Sequence, residues 1–254
     1  MITKIKLFIK EYYLVIVPIL ITCLIYSVSL TFGFRNFDED VLIESIYQNK
    51  TIEELFEKYL LVHVKSVTEA HGFIFSSIKN VHFSPLGTPL HYLICFLFKA
   101  NPFLFHLLGL ILHSLAIYNL AFLFYAFSSS KLVALFSSLL WGIHPVNVES
   151  VIWATNWASP LGATLYFYTL RKLIASLSKE QVSKQLTIFL ITITTLQILF
   201  VEYNITIPIA IFLTSYFYLK KEINKKAIHS LLLLSCPTFI IICLYFIIRF
   251  FYNN

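Results

Sequence analysis

The sequence predicts an all-α integral membrane protein. Three observations carry that reading. Of 254 residues, 58% are hydrophobic and only 13% are charged, where a soluble domain would carry about 25% charge. The apolar residues come in long runs rather than in alternating or amphipathic patterns. The basic residues sit in short clusters between those runs, as the rule that orients membrane proteins requires. That placement also excludes nucleic acid as the partner behind the net charge of +6. The partner implied is the lipid bilayer.

A helix needs about 20 apolar residues to cross about 30 Å of hydrocarbon. Seven candidate spans follow, at residues 12–33, 103–127, 132–148, 157–174, 186–201, 204–219 and 228–248. The first is too long for the apolar core of a signal peptide and is followed by no small-residue cleavage site, so it reads as a retained span. Residues 186–219 are too long for one crossing. Glu202, Asn204 and Pro208 divide them into a hairpin. Pro145 stops the third span. Residues 85–98 are apolar but too short to cross and read as a re-entrant or interface-lying helix. The chain is one membrane domain, 1–254, with residues 34–102 forming a long extracytoplasmic loop. Within that loop, "TIEELFEKYLLVHV" from Thr51 has acids in its first turn and an apolar face, as an interfacial helix does.

Charge orients this arrangement. With the N-terminus in the cytoplasm, the inner segments hold Lys4, Lys6, Lys10, Lys131, Arg171, Lys172, Lys179, Lys184, Lys220, Lys221, Lys225 and Lys226, against only Glu11, Glu180 and Glu222. All other acids fall outside, and the C-terminus is extracytoplasmic. A full crossing by residues 85–98 would turn the Lys/Arg-rich loops outward, against the bias.

Three acidic features then share the outer face: "FDED" at Phe37 to Asp40, Glu149 in "HPVNVES", and Glu202 in "VEYN". A carboxylate within the bilayer costs about 2.5–3.5 kcal/mol, so Glu149 and Glu202 read either as an embedded acidic site or as wetted loop residues. Adjacent carboxylates raise one another's pKa, and a carboxylate so held can serve as a general base. His106 and His113, seven apart, share a helix face but lie about 10 Å apart along it. That is too far to chelate one ion, so no metal site is expected, although a divalent ion carried with a substrate is not excluded. The cysteines, Cys23, Cys95, Cys236 and Cys243, form no CxxC and read as small buried hydrophobes. Asn49 and Asn204 each match the N-glycosylation pattern, which is common by chance.

Taken together, four segments resemble the membrane module of GT-C fold glycosyltransferases, closest to that of protein O-mannosyltransferase-like proteins carrying tetratricopeptide repeats. "NFDEDVLI" is similar to the family's acidic first-loop motif and "FSPLGTPLHYLI" to its "hPLTWLS" segment. "NPFLFHLLGLILHSLAIYNLAFLF" resembles "NPxxxHxxNxxxHxxNxxLxF". "LLWGIHPVNVESVIWATNWASPLGATLYF" resembles "LFALHPLHVESVAWVSERKDLLSALFF". The order is kept over nearly the whole chain.

The resemblance implies the common seven-helix module and transfer of a sugar from a polyprenyl-phosphate donor to an acceptor hydroxyl on the outer face, with no separate cofactor. It implies Asp38 as the base that activates the acceptor, beside Glu39 and Asp40. His144, Glu149 and Glu202 would line the cavity. The chain departs from the family at three places. Asn156, Trp157, Ala158 and Ser159 stand where the family has "ERKD". Val201 replaces a lysine, and Gly109 replaces the asparagine between the two histidines. Arg35, Lys79 and Arg249 are the outer cations left to hold donor phosphate. A non-catalytic membrane subunit or scaffold with the same fold, acting through a membrane protein partner, is the alternative that these losses imply.

Overall fold

The structure is a computed structural model, and it describes residues 2–34, 86–177, 183–219 and 225–253. Every regular element among them is helical. Helix α1 spans Ile2–Tyr26 and runs into a 3-10 turn at Ser27–Thr31. Next come α2 (Gly87–Phe98), α3 (Pro102–Ser128), α4 (Lys131–Gly142), the one-turn α5 (Val148–Ile152) and α6 (Ala158–Leu177). Helices α7 (Lys184–Phe200), α8 (Ile207–Leu219) and α9 (Lys225–Asn253) complete the described chain.

Among the described residues, three segments are long and apolar enough to cross a bilayer: Tyr12–Thr31, Pro102–Ser128 and His229–Ile248. A fourth is formed if α4 and Pro145–Ile152, bent by 51° at their junction, are taken as one broken span. The seven crossings expected from the sequence are therefore three, or four, by length and composition. Helix α6 has the length, about 30 Å for its 20 residues, but Arg171 and Lys172 interrupt its apolarity. Helices α7 and α8 are short because the 3-10 turn Glu202–Thr206 divides them, where the sequence placed a hairpin. The third expected span, 132–148, ends at Gly142, two residues before His144-Pro145. Helix α2 has 12 residues, about 18 Å, less than the hydrocarbon thickness. The Thr51 helix and most of the 34–102 loop lie outside the described residues.

Large apolar side chains cover the outside. Leu24 is 77% exposed, Phe250 64% and Phe217 64%. A water-soluble monomer rarely shows contiguous apolar surface on this scale. Cys236 and Cys243 are part of this surface on α9, so only Cys95 is the fully buried hydrophobe expected of all four.

Inside, small residues bring the helices together, as packing in lipid requires. Ala134, Ser138 and Gly142 recur every fourth residue along α4 and are buried. A Cβ on Gly142 would lie 2.7 Å from Thr22 Oγ1 and 2.8 Å from Ile117 Cδ1, so this glycine sets the α1–α3–α4 crossing. His113 locks the same crossing, its Nε2–H donating to the Gly142 carbonyl at 2.9 Å while the ring stacks on Trp141. A larger leucine-isoleucine core joins α3, α6, α7, α8 and α9 around Leu173, Leu190, Ile211 and Leu234.

The helices alternate in direction, which gives the bundle two ends. Tyr13 lies under Lys131, marking one end near the start of α4. The other end gathers the 3-10 turn after α1, the start of α3, the break after α4, the start of α6 and the α7–α8 turn.

Candidate functional site

The second end contains residues 86–94, the start of α3 and the corner after α4. Asn101 caps α3, its side-chain oxygen accepting the Phe103 N–H at 3.1 Å, and Pro102 occupies the first helical position, where its missing N–H costs nothing. Before it, Lys99 and Ala100 both adopt left-handed backbone, φ 50° and 54°, turning α2 sharply into α3. Phe34, the last described residue after α1, meets Phe105 edge-on at 5.8 Å.

"HPVNVES" is a compact corner. The His144 Nδ1 accepts the Val146 N–H at 3.2 Å, and Pro145 opens the 3-10 turn Pro145–Asn147. Asn147 is buried and donates its side-chain N–H to the Trp141 carbonyl, which also accepts the His144 N–H at 3.2 Å. Glu149 follows in the first turn of α5. His144 and Glu149 are both exposed. Glu149 is thus an exposed carboxylate at the bundle's end rather than a charge buried between helices. The corner is pressed against α3: a Cβ on Gly109 would fall 2.9 Å from the Val151 carbonyl oxygen. That contact explains why asparagine does not stand at 109.

Helix α2 docks across this end. Its first turn is tied to α7 by a hydrogen bond from the Leu86 N–H to the Leu199 carbonyl, 3.1 Å. On its buried side the Trp157 Nε1–H donates to His91 Nδ1 at 2.9 Å, with the rings parallel at 6.2 Å. An Nδ1 that accepts leaves the proton on Nε2, which faces Cys95 Sγ at 3.5 Å. Burial holds the His91 pKa at about 4 and pushes the Cys95 thiol up to about 12. Both groups are therefore neutral at physiological pH, and Cys95 is no nucleophile.

A second polar chain lies under the α7–α8 turn. Asn204 Nδ2 donates to the Gly162 carbonyl and to Gln197 Oε1, both at 2.9 Å. Gln197 Nε2 donates to Thr169 Oγ1 at 2.9 Å, and that hydroxyl donates to the Leu165 carbonyl at 2.7 Å. Gln197 and Thr169 are fully buried. Asn204 is buried and spends its amide inside the bundle, so it is no glycosylation acceptor. Asn49 lies outside the described residues.

Of the residues the sequence singled out, His144 and Glu149 meet in one corner. Glu202 opens the 3-10 turn at the same end of the bundle. The direction of α9 returns Arg249 toward that end. Asp38, Glu39, Asp40, Arg35 and Lys79 lie outside the described residues. The sequence reading missed His91, Trp157, Asn147, Gln197 and Asn204 as structural partners. Single polar residues inside apolar runs were their only signal. No protein-family model, curated protein or solved structure matches the chain.

Proposed function

We propose that the chain is a GT-C-like glycosyltransferase that moves a sugar from a polyprenyl-phosphate donor to an acceptor hydroxyl at the extracytoplasmic face. In this reading α1, α3, the α4–α5 pair, α6, α7, α8 and α9 make seven crossings, with the short helices packed among the three long ones and the N-terminus cytoplasmic. The supporting observation is that parts of three of the segments that carry the resemblance, residues 86–94, 101–109 and 143–159, come to one end of the bundle. Phe34 is at that end, and Asp38 follows four residues later, within a chain reach of at most about 14 Å.

The chemistry would be a single displacement. The acceptor oxygen attacks the anomeric carbon, the bond from that carbon to the donor phosphate oxygen breaks, and Asp38 takes the acceptor's proton. Polyprenyl phosphate leaves as the anion, and Arg35, Lys79 and Arg249 are the cations available to hold it. His144, Glu149 and Glu202 would border the acceptor side.

One observation favours the non-catalytic reading. The positions where the family has charge are part of the packing in this chain. Trp157 is buried and bonded to His91, and Val201 is buried against Gly162. The full chain in lipid nanodiscs, given a radiolabelled polyprenyl-phosphate sugar and a hydroxyl acceptor, discriminates the two. Transfer that disappears in Asp38→Asn, with an unchanged elution profile, supports the enzyme. Donor that stays intact under all conditions supports the scaffold.

A further inference from the structure

The opposite end of the bundle carries a cation held in an unusual way. Arg171 lies on α6, six residues before its end. Its guanidinium lies over three rings at once: Tyr118 at 5.1 Å and Phe122 at 5.6 Å, both on α3, and Tyr168 at 5.6 Å on its own helix. Lys172 also lies over Tyr168, at 5.8 Å.

The depth of this cage is the informative quantity. Tyr118 is ten residues from the end of α3 at Ser128, about 15 Å along the axis. At about 40 Å, α3 exceeds the hydrocarbon core by about 5 Å at each end. With α3 centred in the bilayer, the Arg171 head lies below the boundary of the apolar slab. It also faces the lipid, since Tyr118 and its neighbours Leu115 and Ile111 on α3 are exposed. A charge at this position is costly unless paired. The rings offset part of the charge through their faces, but they accept none of the five N–H donors, which lie around the edge of the guanidinium plane.

We propose that Arg171, with Lys172, forms a binding site for the phosphate of an anionic glycerophospholipid in the leaflet at the Lys131 end. The rings hold the guanidinium flat so that its edge presents two parallel N–H groups to phosphate oxygens, the geometry in which arginine binds phosphate best. The acyl chains continue along the exposed apolar strip of α3 at Ile111 and Leu115. Lys172 adds a second charge nearer the water. The site is independent of the sugar-transfer reading and lies at the opposite end from it.

The test uses the full chain in nanodiscs with spin-labelled lipids, comparing motionally restricted phosphatidylglycerol with phosphatidylcholine. The wild type should prefer the anionic lipid about thirtyfold, the ratio that about 1 kcal/mol for each of the two cations gives. Arg171→Gln should remove most of that preference. Arg171→Lys, which keeps the charge and the fold but lacks the fork, should retain less than half of it. Lys184→Gln, at an exposed lysine of the same end, should leave it intact. Equal loss in Lys184→Gln and Arg171→Gln would mean diffuse surface charge and overturn the site. So would an unchanged preference in Arg171→Lys, or displacement of the labelled lipid by inorganic phosphate in excess.

Discussion

Acidification should loosen α2 from the bundle through one ring. His91 is held neutral by burial, its pKa near 4 against an ordinary 6.5. When α2 lifts away, the ring regains water and its ordinary affinity for a proton. Between pH 6.5 and 4 the open state therefore binds more protons than the docked one, so docking weakens as pH falls, and the loss levels off below 4. At pH 5 the open ring is about 97% protonated and the docked ring about 10%, which shifts the opening equilibrium by about thirtyfold relative to pH 7.5.

Cys95 reports the motion, because it is fully buried beside the ring. With Cys23, Cys236 and Cys243 changed to serine, its rate of modification by a methanethiosulfonate, divided by that of a free thiol at the same pH, measures the open fraction. The normalised rate should rise about thirtyfold from pH 7.5 to 5. His91→Phe should flatten the dependence. Trp157→Phe, which strands the Nδ1 acceptor at a cost of about 1 kcal/mol, should raise the rate about fivefold at pH 7.5 and keep the pH slope. A normalised rate constant within about twofold across this range would show that the ring is wet in the docked state, and the reasoning would fail.

Three further outcomes follow from the packing. Gly109→Ala places a Cβ 2.9 Å from a backbone carbonyl that cannot rotate away. It should cost about 1–3 kcal/mol, read as a lower midpoint in thermal unfolding in detergent. Gln197→Leu breaks the Thr169–Gln197–Asn204 chain and leaves one Asn204 N–H without its acceptor. Buried hydrogen bonds between membrane helices average about 0.6 kcal/mol with a ceiling near 1.7, so the loss should stay inside that range and below that of Gly109→Ala. Ala100→Gly relieves a left-handed alanine at φ 54° and should stabilise by about 1 kcal/mol in the same assay.

The sequence made the helix class and most boundaries readable because apolar run length is set by one quantity, the thickness of lipid. Pro145 and the polar break at Glu202 and Asn204 marked where helices end, and the structure turns at both. The count of crossings was harder to read. Hydropathy does not separate a span from a short helix packed among spans, and α6 shows this, carrying Arg171 inside a helix of spanning length. The site was legible only as a direction. Sidedness of charge grouped Asp38, Glu149 and Glu202 on one face, and the resemblance added His144; the backbone at 144, 149 and 202 lies at one end of the bundle. What the residues at that end do for each other was not legible. The Trp157–His91 bond joins positions 66 apart, and the Gly109–Val151 contact replaces a side chain with a backbone. Neither leaves a local pattern. The expectation for Cys236 and Cys243 failed because an apolar run does not say which face looks into the bundle and which looks at lipid.

The central claim is that the acidic loop after α1 and the "HPVNVES" corner border one site. Spin labels at Phe37→Cys and Val148→Cys, each beside a proposed site residue and neither one of them, measure this in the full chain reconstituted in nanodiscs without its native cysteines. Double electron–electron resonance should return a narrow distance distribution centred below about two helix diameters, on the order of 20–24 Å. A distribution centred well beyond that distance would place Asp38 away from Glu149, and the scaffold reading would replace the enzyme.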